Sequence, residues 1–158
     1  VNIINVSNHE ENYAVYNSNT SVEGSNLKVT STVISYENDA TLNIDYKNIL
    51  LALEKIVAVG AFERFFRPEG KMNDRVTALS IDSRKLRLYC LRISDQILIV
   101  GNGGVKATRT YQQSDELSGY VMDLQQFDKL LKEAQKDGSI TIEKNVITGI
   151  ESKVFQLS

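Results

Sequence analysis

Residues 84–111 read RKLRLYCLRISDQILIVGNGGVKATRTY, and how that stretch is parsed decides the fold. Leu86 to Ile93 alternates between apolar and polar positions and Gln96 to Val100 is a short apolar run, so the pattern predicts an antiparallel hairpin. A two-residue turn at Ser94–Asp95 would set Arg87 opposite Asn102 and Tyr89 opposite Val100. Alternation then places Lys85, Arg87, Tyr89 and Leu91 on one side and Leu86, Leu88 and Cys90 on the other, the second being the core side. Gly101, Gly103 and Gly104 read as a bend whose positive φ angles would turn backbone N–H groups toward an anion. With Lys106 and Arg109 just beyond it, the expected result is one phosphate-suited patch of Arg87, the Asn102–Gly104 bend, Lys106 and Arg109.

The flanking sequence supplies the rest of an α+β fold, a twisted antiparallel sheet packed by helices. Ile49, Leu50, Leu53, Ile56 and Val57 recur at helical spacing, with Asp45 as the expected N-cap and Gly60 as the break. Phe62, Phe65 and Phe66 in a second helical turn would anchor that helix to the sheet. Residues 67–74, RPEGKMND, read as a loop carrying Arg67 and Lys71 with Arg75 next to it, and RVTALSID reads as the strand before the hairpin. After Tyr111, Ser114 caps a helix whose apolar positions run from Leu117 to Leu131, and Gly138 closes it. The tail from Ile140 reads as one more β pair. Residues 1–45 form a β-rich N-terminal section, with VNIINV, NYAVY, NLKVTSTVISY and ATLNI as strands, ahead of an α+β domain over 46–158; one continuous domain is the alternative division.

Composition narrows the chemistry. Ten Lys or Arg and four acids lie between Arg64 and Arg109, so this middle carries +6 and the remainder −8 of a net −2. Such segregation suggests an anionic partner for the basic middle. Only two Lys or Arg precede residue 50, so the N-terminal section reads as a sheet extension or a partner surface. His9, the one histidine, sits in a polar turn cluster and lacks fellow ligands, so no metal or other cofactor is expected. One histidine and one cysteine leave neither a Ser/His/Asp triad nor a Cys/His dyad. Lys106 followed by Ala107 does not fit a nucleotide-binding P-loop. The single Cys90 excludes an internal disulfide and reads as a core residue in a reducing cytoplasm, and no run of residues is apolar enough for a membrane span.

The order of a helical pair, a strand, LRLY, a hairpin and then K-x-T-R-T resembles the RelE/HigB superfamily of toxin ribonucleases over roughly residues 46–131. In that family a strand arginine of the form aromatic-Arg-x-x-aromatic is followed by a strand ending in Lys-Lys and a Thr/Ser-containing tail. The resemblance implies a toxin–antitoxin component that cleaves messenger RNA on the ribosome without metal. It also implies that Arg87 and Arg109 stabilise phosphate, that Lys106 moves a proton or contacts phosphate, and that Tyr89 or Tyr111 stacks on a base. Arg75, Lys85, Asn102, Gly103 and Gly104 would complete the nucleic-acid surface. The chain departs from the family pattern in its length, in Ala107 where a second lysine is expected, and in the GNGG run. The rival reading is a non-catalytic protein- or nucleic-acid-binding module, such as a phage or mobile-element inhibitor of a host protein.

Overall fold

The first helix begins where Asp39 folds back on the chain. Its carboxylate accepts from the Thr41 and Leu42 backbone N–H groups at 2.8 and 3.1 Å and from the Thr41 hydroxyl at 2.8 Å. Those bonds tie down the turn before the helix, so Ala40–Ile44, expected as a strand, is a turn running into helix α1 (Asn43–Val59). Asp45 is correspondingly not the N-cap. It lies in the first turn of α1, is buried, and its Oδ2 accepts from the backbone N–H groups of Lys85 and Leu86 at 2.8 and 3.0 Å. The computed structural model describes residues 2–9, 12–18, 36–69, 74–80, 85–107, 114–150 and 154–156. The expected strand NLKVTSTVISY lies, but for Tyr36, outside the described residues.

Among the described residues, one sheet of seven strands carries the fold, in the order β3-β4-β5-β6-β1-β2-β9. Its members are β1 (Asn2–His9), β2 (Asn12–Ser18), β3 (Phe66–Pro68), β4 (Val76–Leu79), β5 (Leu86–Ser94), β6 (Ile97–Val105) and β9 (Val154–Gln156). The pairings are antiparallel except that β1 runs parallel to β6, so the N-terminal section extends the hairpin's own sheet. His9 ends β1, paired with Asn12 of β2. A small separate ribbon, β7 (Thr141–Ile142) with β8 (Ile147–Thr148), supplies the β pair of the tail. An α+β fold is what the helical and alternating periods imply, and it is what forms.

Each face of the sheet has its own helix. On one face Ile49, Leu53 and Ile56 of α1 pack with Leu86, Leu88, Cys90, Leu98 and Val100. On the other, Leu117, Val121, Leu124, Phe127 and Leu131 of helix α2 (Asp115–Lys136) pack with Ala78, Tyr89, Leu91 and Ile99. Phe127 meets Phe155 of β9 edge-on, ring centroids 4.9 Å apart. Full burial of a Leu or Ile contributes about 1.5–3 kcal/mol each, so both layers are integral to stability. Ser114 caps α2 as expected, its hydroxyl accepting from Leu117 N–H at 3.3 Å, and Gly138 follows the helix at φ 82°.

The hairpin differs from its predicted register. The turn falls at Asp95–Gln96, and two irregularities shift the pairing, so Arg87 faces Gly104 in place of Asn102 and Val100 faces Cys90 in place of Tyr89. Between the Leu88–Gly103 and Cys90–Val100 pairs, Tyr89 opposes both Gly101 and Asn102, a β-bulge. The GNGG run is therefore strand and not bend, and none of its glycines has a positive φ. Glycine serves close approach here. A Cβ on Gly103 would sit 1.9 Å from the Arg87 carbonyl oxygen, and one on Gly101 would sit 2.8 Å from Leu124.

Candidate functional site

Two ends of the β5–β6 hairpin hold the cations that the sequence singled out, and they are built differently. At the turn end, Arg92 donates from Nε to the Ala61 carbonyl at 2.7 Å, pairs through a second nitrogen with Asp95, and reaches Glu63 at 3.7 Å. Arg75 sits beside it, its carbonyl accepting from Arg92 N–H. The Arg75 guanidinium contacts Asp128 Oδ1 with Nε at 2.7 Å and a terminal nitrogen at 2.6 Å, and Lys132 reaches the other Asp128 oxygen at 3.0 Å. Asp128 is only 1% exposed, so these two cations hold a buried carboxylate in place. Arg75 was expected in a nucleic-acid surface with Arg87. It belongs to the opposite end of the hairpin, where its guanidinium clamps α2 to the sheet.

At the open end, the Lys106 N–H donates to the Lys85 carbonyl at 2.7 Å, continuing the ladder beyond the Leu86–Val105 pair. Alternation from Tyr89, which packs toward α2, puts Arg87 and Lys85 on that same face, and Lys106 shares it as the partner of Lys85. Lys85 and Lys106 make no ion pair among the described residues. Gly104, opposite Arg87, has no side chain, and the first turn of α2 occupies that space: Glu116 Oε1 and Leu117 Cδ2 lie 3.4 and 3.5 Å from where its Cβ would be.

Arg67, which the sequence places in a loop, belongs to a strand. It stands in the middle of β3, paired with Ala78, whose side chain faces α2; Arg67 therefore lies on the same face as Arg87. A strand of three residues gives no readable alternation, which is why its face was not predictable. The Arg87 guanidinium is half-buried and donates from Nη1 to the Leu86 carbonyl at 3.0 Å. Burial is the main cause of a lowered Arg87 pKa, and the neighbouring positive charge of Arg67 adds to it, outweighing the opposing influence of Tyr89, Glu69 and Asp45. Arg67 itself pairs with Glu69 at 3.8 Å. Acids border the same end: Glu116, which accepts from the Tyr120 hydroxyl, and Asp39, whose carboxyl is held low mainly by its Thr41 hydrogen bonds, with Lys85 a smaller contribution. The Tyr36 phenol between them has a raised pKa, from burial first and from the Glu116 and Asp39 charges next.

Several expected contacts are not where the alternation placed them. Tyr89 is 1% exposed inside the α2-side core, so its ring has no open face for a base. Both faces of β5 are covered by helices, whereas the sequence suggested one covered and one open. Asn102 is 8% exposed, and Gly103 and Gly104 are buried within β6, so they offer no N–H cradle. Arg109 and Tyr111, with Thr110 and Lys71, lie outside the described residues. Burial pushes the Cys90 thiol up to about 12, consistent with a core residue. Among the described residues no group of His, Cys, Asp and Glu is arranged to hold a metal, and no helix is long and apolar enough to cross a membrane.

What remains of the candidate patch is Arg87, Lys85 and Lys106, now joined by Arg67. Such a face can neutralise phosphate oxygens. No protein-family model, curated protein or solved structure matches the chain.

Proposed function

We propose that this chain is a RelE-like RNA-targeting protein whose α2-side face at the open end of the hairpin binds the RNA backbone. One observation carries this reading: Arg87 and Arg67 share a face, and burial and mutual repulsion both disfavour the Arg87 charge. A phosphate brought there would place negative charge beside two like-charged guanidinium groups. In the ribonuclease form of the proposal, Arg87 stabilises the charged oxygens of the transition state as the RNA 2′-hydroxyl attacks, and Lys106 contacts the phosphate or transfers a proton. Expression of the chain should then arrest growth and yield cleaved messenger RNA. The Arg87→Ala, Lys106→Ala double variant, shown to be folded by circular dichroism, should relieve the arrest. A folded double variant that remains equally toxic would remove both residues from the chemistry.

A second reading, a non-catalytic protein-binding module, rests on a different surface. Ile44, Leu51 and Val59 on the outer side of α1 are 67%, 61% and 47% exposed, an unusual placement for three large apolar residues of one helix. On this reading RNA cleavage is absent and a stable complex with a protein partner survives gel filtration.

A further inference from the structure

Two arginine–carboxylate pairs lie on the α2 side of the sheet, and they are held very differently. Arg75 contacts Asp128 through two guanidinium nitrogens at 2.7 and 2.6 Å, and that carboxylate is 1% exposed. Arg67 meets Glu69 through one nitrogen at 3.8 Å, too long for a hydrogen bond, with the two side chains 47% and 20% exposed. Breaking the first pair strands a buried charge, whereas the second is screened by water and opens at little cost. Glu69 is the one side-chain partner of the Arg67 guanidinium among the described residues.

The looseness follows from the strand. Arg67 pairs with Ala78, and the Glu69 N–H donates to the Val76 carbonyl at 3.2 Å, two residues further along the same ladder. Ala78 and Val76 both pack toward α2, so Arg67 and Glu69 project on that face from positions roughly 7 Å apart on one strand. Their side chains meet only by reaching along the strand. The Glu69 charge is also felt at Arg87, where it opposes the influence of Arg67. Of the two carboxylates that favour the Arg87 cation, Asp45 is committed to the Lys85 and Leu86 backbone N–H groups, which leaves Glu69 as the exchangeable one. Carboxylate and phosphate oxygens accept from a guanidinium in the same way, so a phosphate arriving between Arg67 and Arg87 competes with Glu69 for Arg67. Glu69 gives up no hydrogen bond in that exchange, because its backbone N–H stays in the ladder and its carboxylate already meets water.

We infer that Glu69 is a built-in competitor of the RNA phosphate, holding Arg67 in the free protein and releasing it when the phosphate binds. This role rests on the RNA-targeting reading above and adds how the site is occupied without its ligand. The test is a double-variant cycle on binding to a labelled oligouridylate at low salt, where ion pairs are least screened. Glu69→Gln keeps the size of the side chain and removes its charge. Shown to be folded by circular dichroism, it should bind about two- to fivefold more tightly, the effect of an exposed ion pair. In the Arg67→Gln background the same substitution should leave affinity unchanged, because there is no Arg67 to release. An equal gain in both backgrounds would mark Glu69 as an ordinary repulsive charge and overturn the inference. If Glu69→Gln binds no more tightly than the unaltered chain while Arg87→Ala still weakens binding, the inference falls and the RNA reading stands. If neither the unaltered chain nor Glu69→Gln binds RNA, both fall.

Discussion

The two ends of the β5–β6 hairpin carry similar numbers of cations and use them in opposite ways. At the turn end Arg75 and Arg92 are consumed by Asp128, Asp95, Glu63 and the Ala61 carbonyl, so their charge is spent inside the fold. At the open end Lys85 and Lys106 have no ion-pair partner among the described residues, and Arg87 carries its charge against burial and against Arg67. A basic segment in a sequence is thus two populations, one that holds elements together and one gathered at the open end of the hairpin, where the proposed ligand would bind. Net charge does not distinguish them; the location of the acids does.

The largest effect should come from the turn end. Asp128→Ala leaves Arg75 without its buried partner and should destabilise the fold by about 3–5 kcal/mol in urea unfolding. A loss below about 1 kcal/mol would mean that the clamp is ornamental, and the contrast between the ends would fail. Gly103→Ala comes next, because its Cβ would collide with the Arg87 backbone; about 3 kcal/mol or more is expected, against little change for Gly104→Ala, where the nearest atom is the end of Glu116. That pair separates a close-packed strand from a flexible glycine corner, since a corner would tolerate both.

Smaller effects sharpen the picture. Gly119, in the interior of α2, has nothing within 4 Å of a Cβ, so Gly119→Ala should stabilise by about 0.5–1 kcal/mol by helix propensity alone. Lys106→Ala should change stability by no more than about 0.5 kcal/mol while weakening RNA binding, which is the signature expected of the open end. Cys90 provides a check by pH. Burial pushes its thiol from the ordinary 9.0 up to about 12, so its contribution is intact below pH 9 and stability should decline as pH rises from there toward 12. At pH 8 a thiol reagent should label it only after denaturant is added.

The sequence was most informative where a long period had time to repeat. Leu117 to Leu131 fixes α2, with Ser114 as its cap, and the Ile49, Leu53 and Ile56 spacing fixes α1. It was least informative where one residue changes everything. The bulge opposite Tyr89 shifts the hairpin register, and once the register moves, Asn102 no longer faces Arg87. Tyr89 was misplaced for another reason: alternation shows which residues share a face, but only the second helix, packed from a distance in sequence, shows that the face is covered. The glycines of GNGG carry the same ambiguity, since open conformational freedom and close packing both select glycine. Arg75 and Asp128 are 53 residues apart, and no local pattern announces their pairing.

The most direct measurement compares one arginine from each end. RNA affinity and unfolding free energy would be determined for Arg87→Ala and Arg92→Ala in the same buffer. Arg87→Ala should lose about 10- to 100-fold in affinity, the worth of a charge-assisted contact, while remaining folded at the assay temperature. Arg92→Ala should lose stability and keep its affinity. Equal loss of affinity in both folded variants, or unchanged binding by Arg87→Ala, would contradict the division of labour between the two ends.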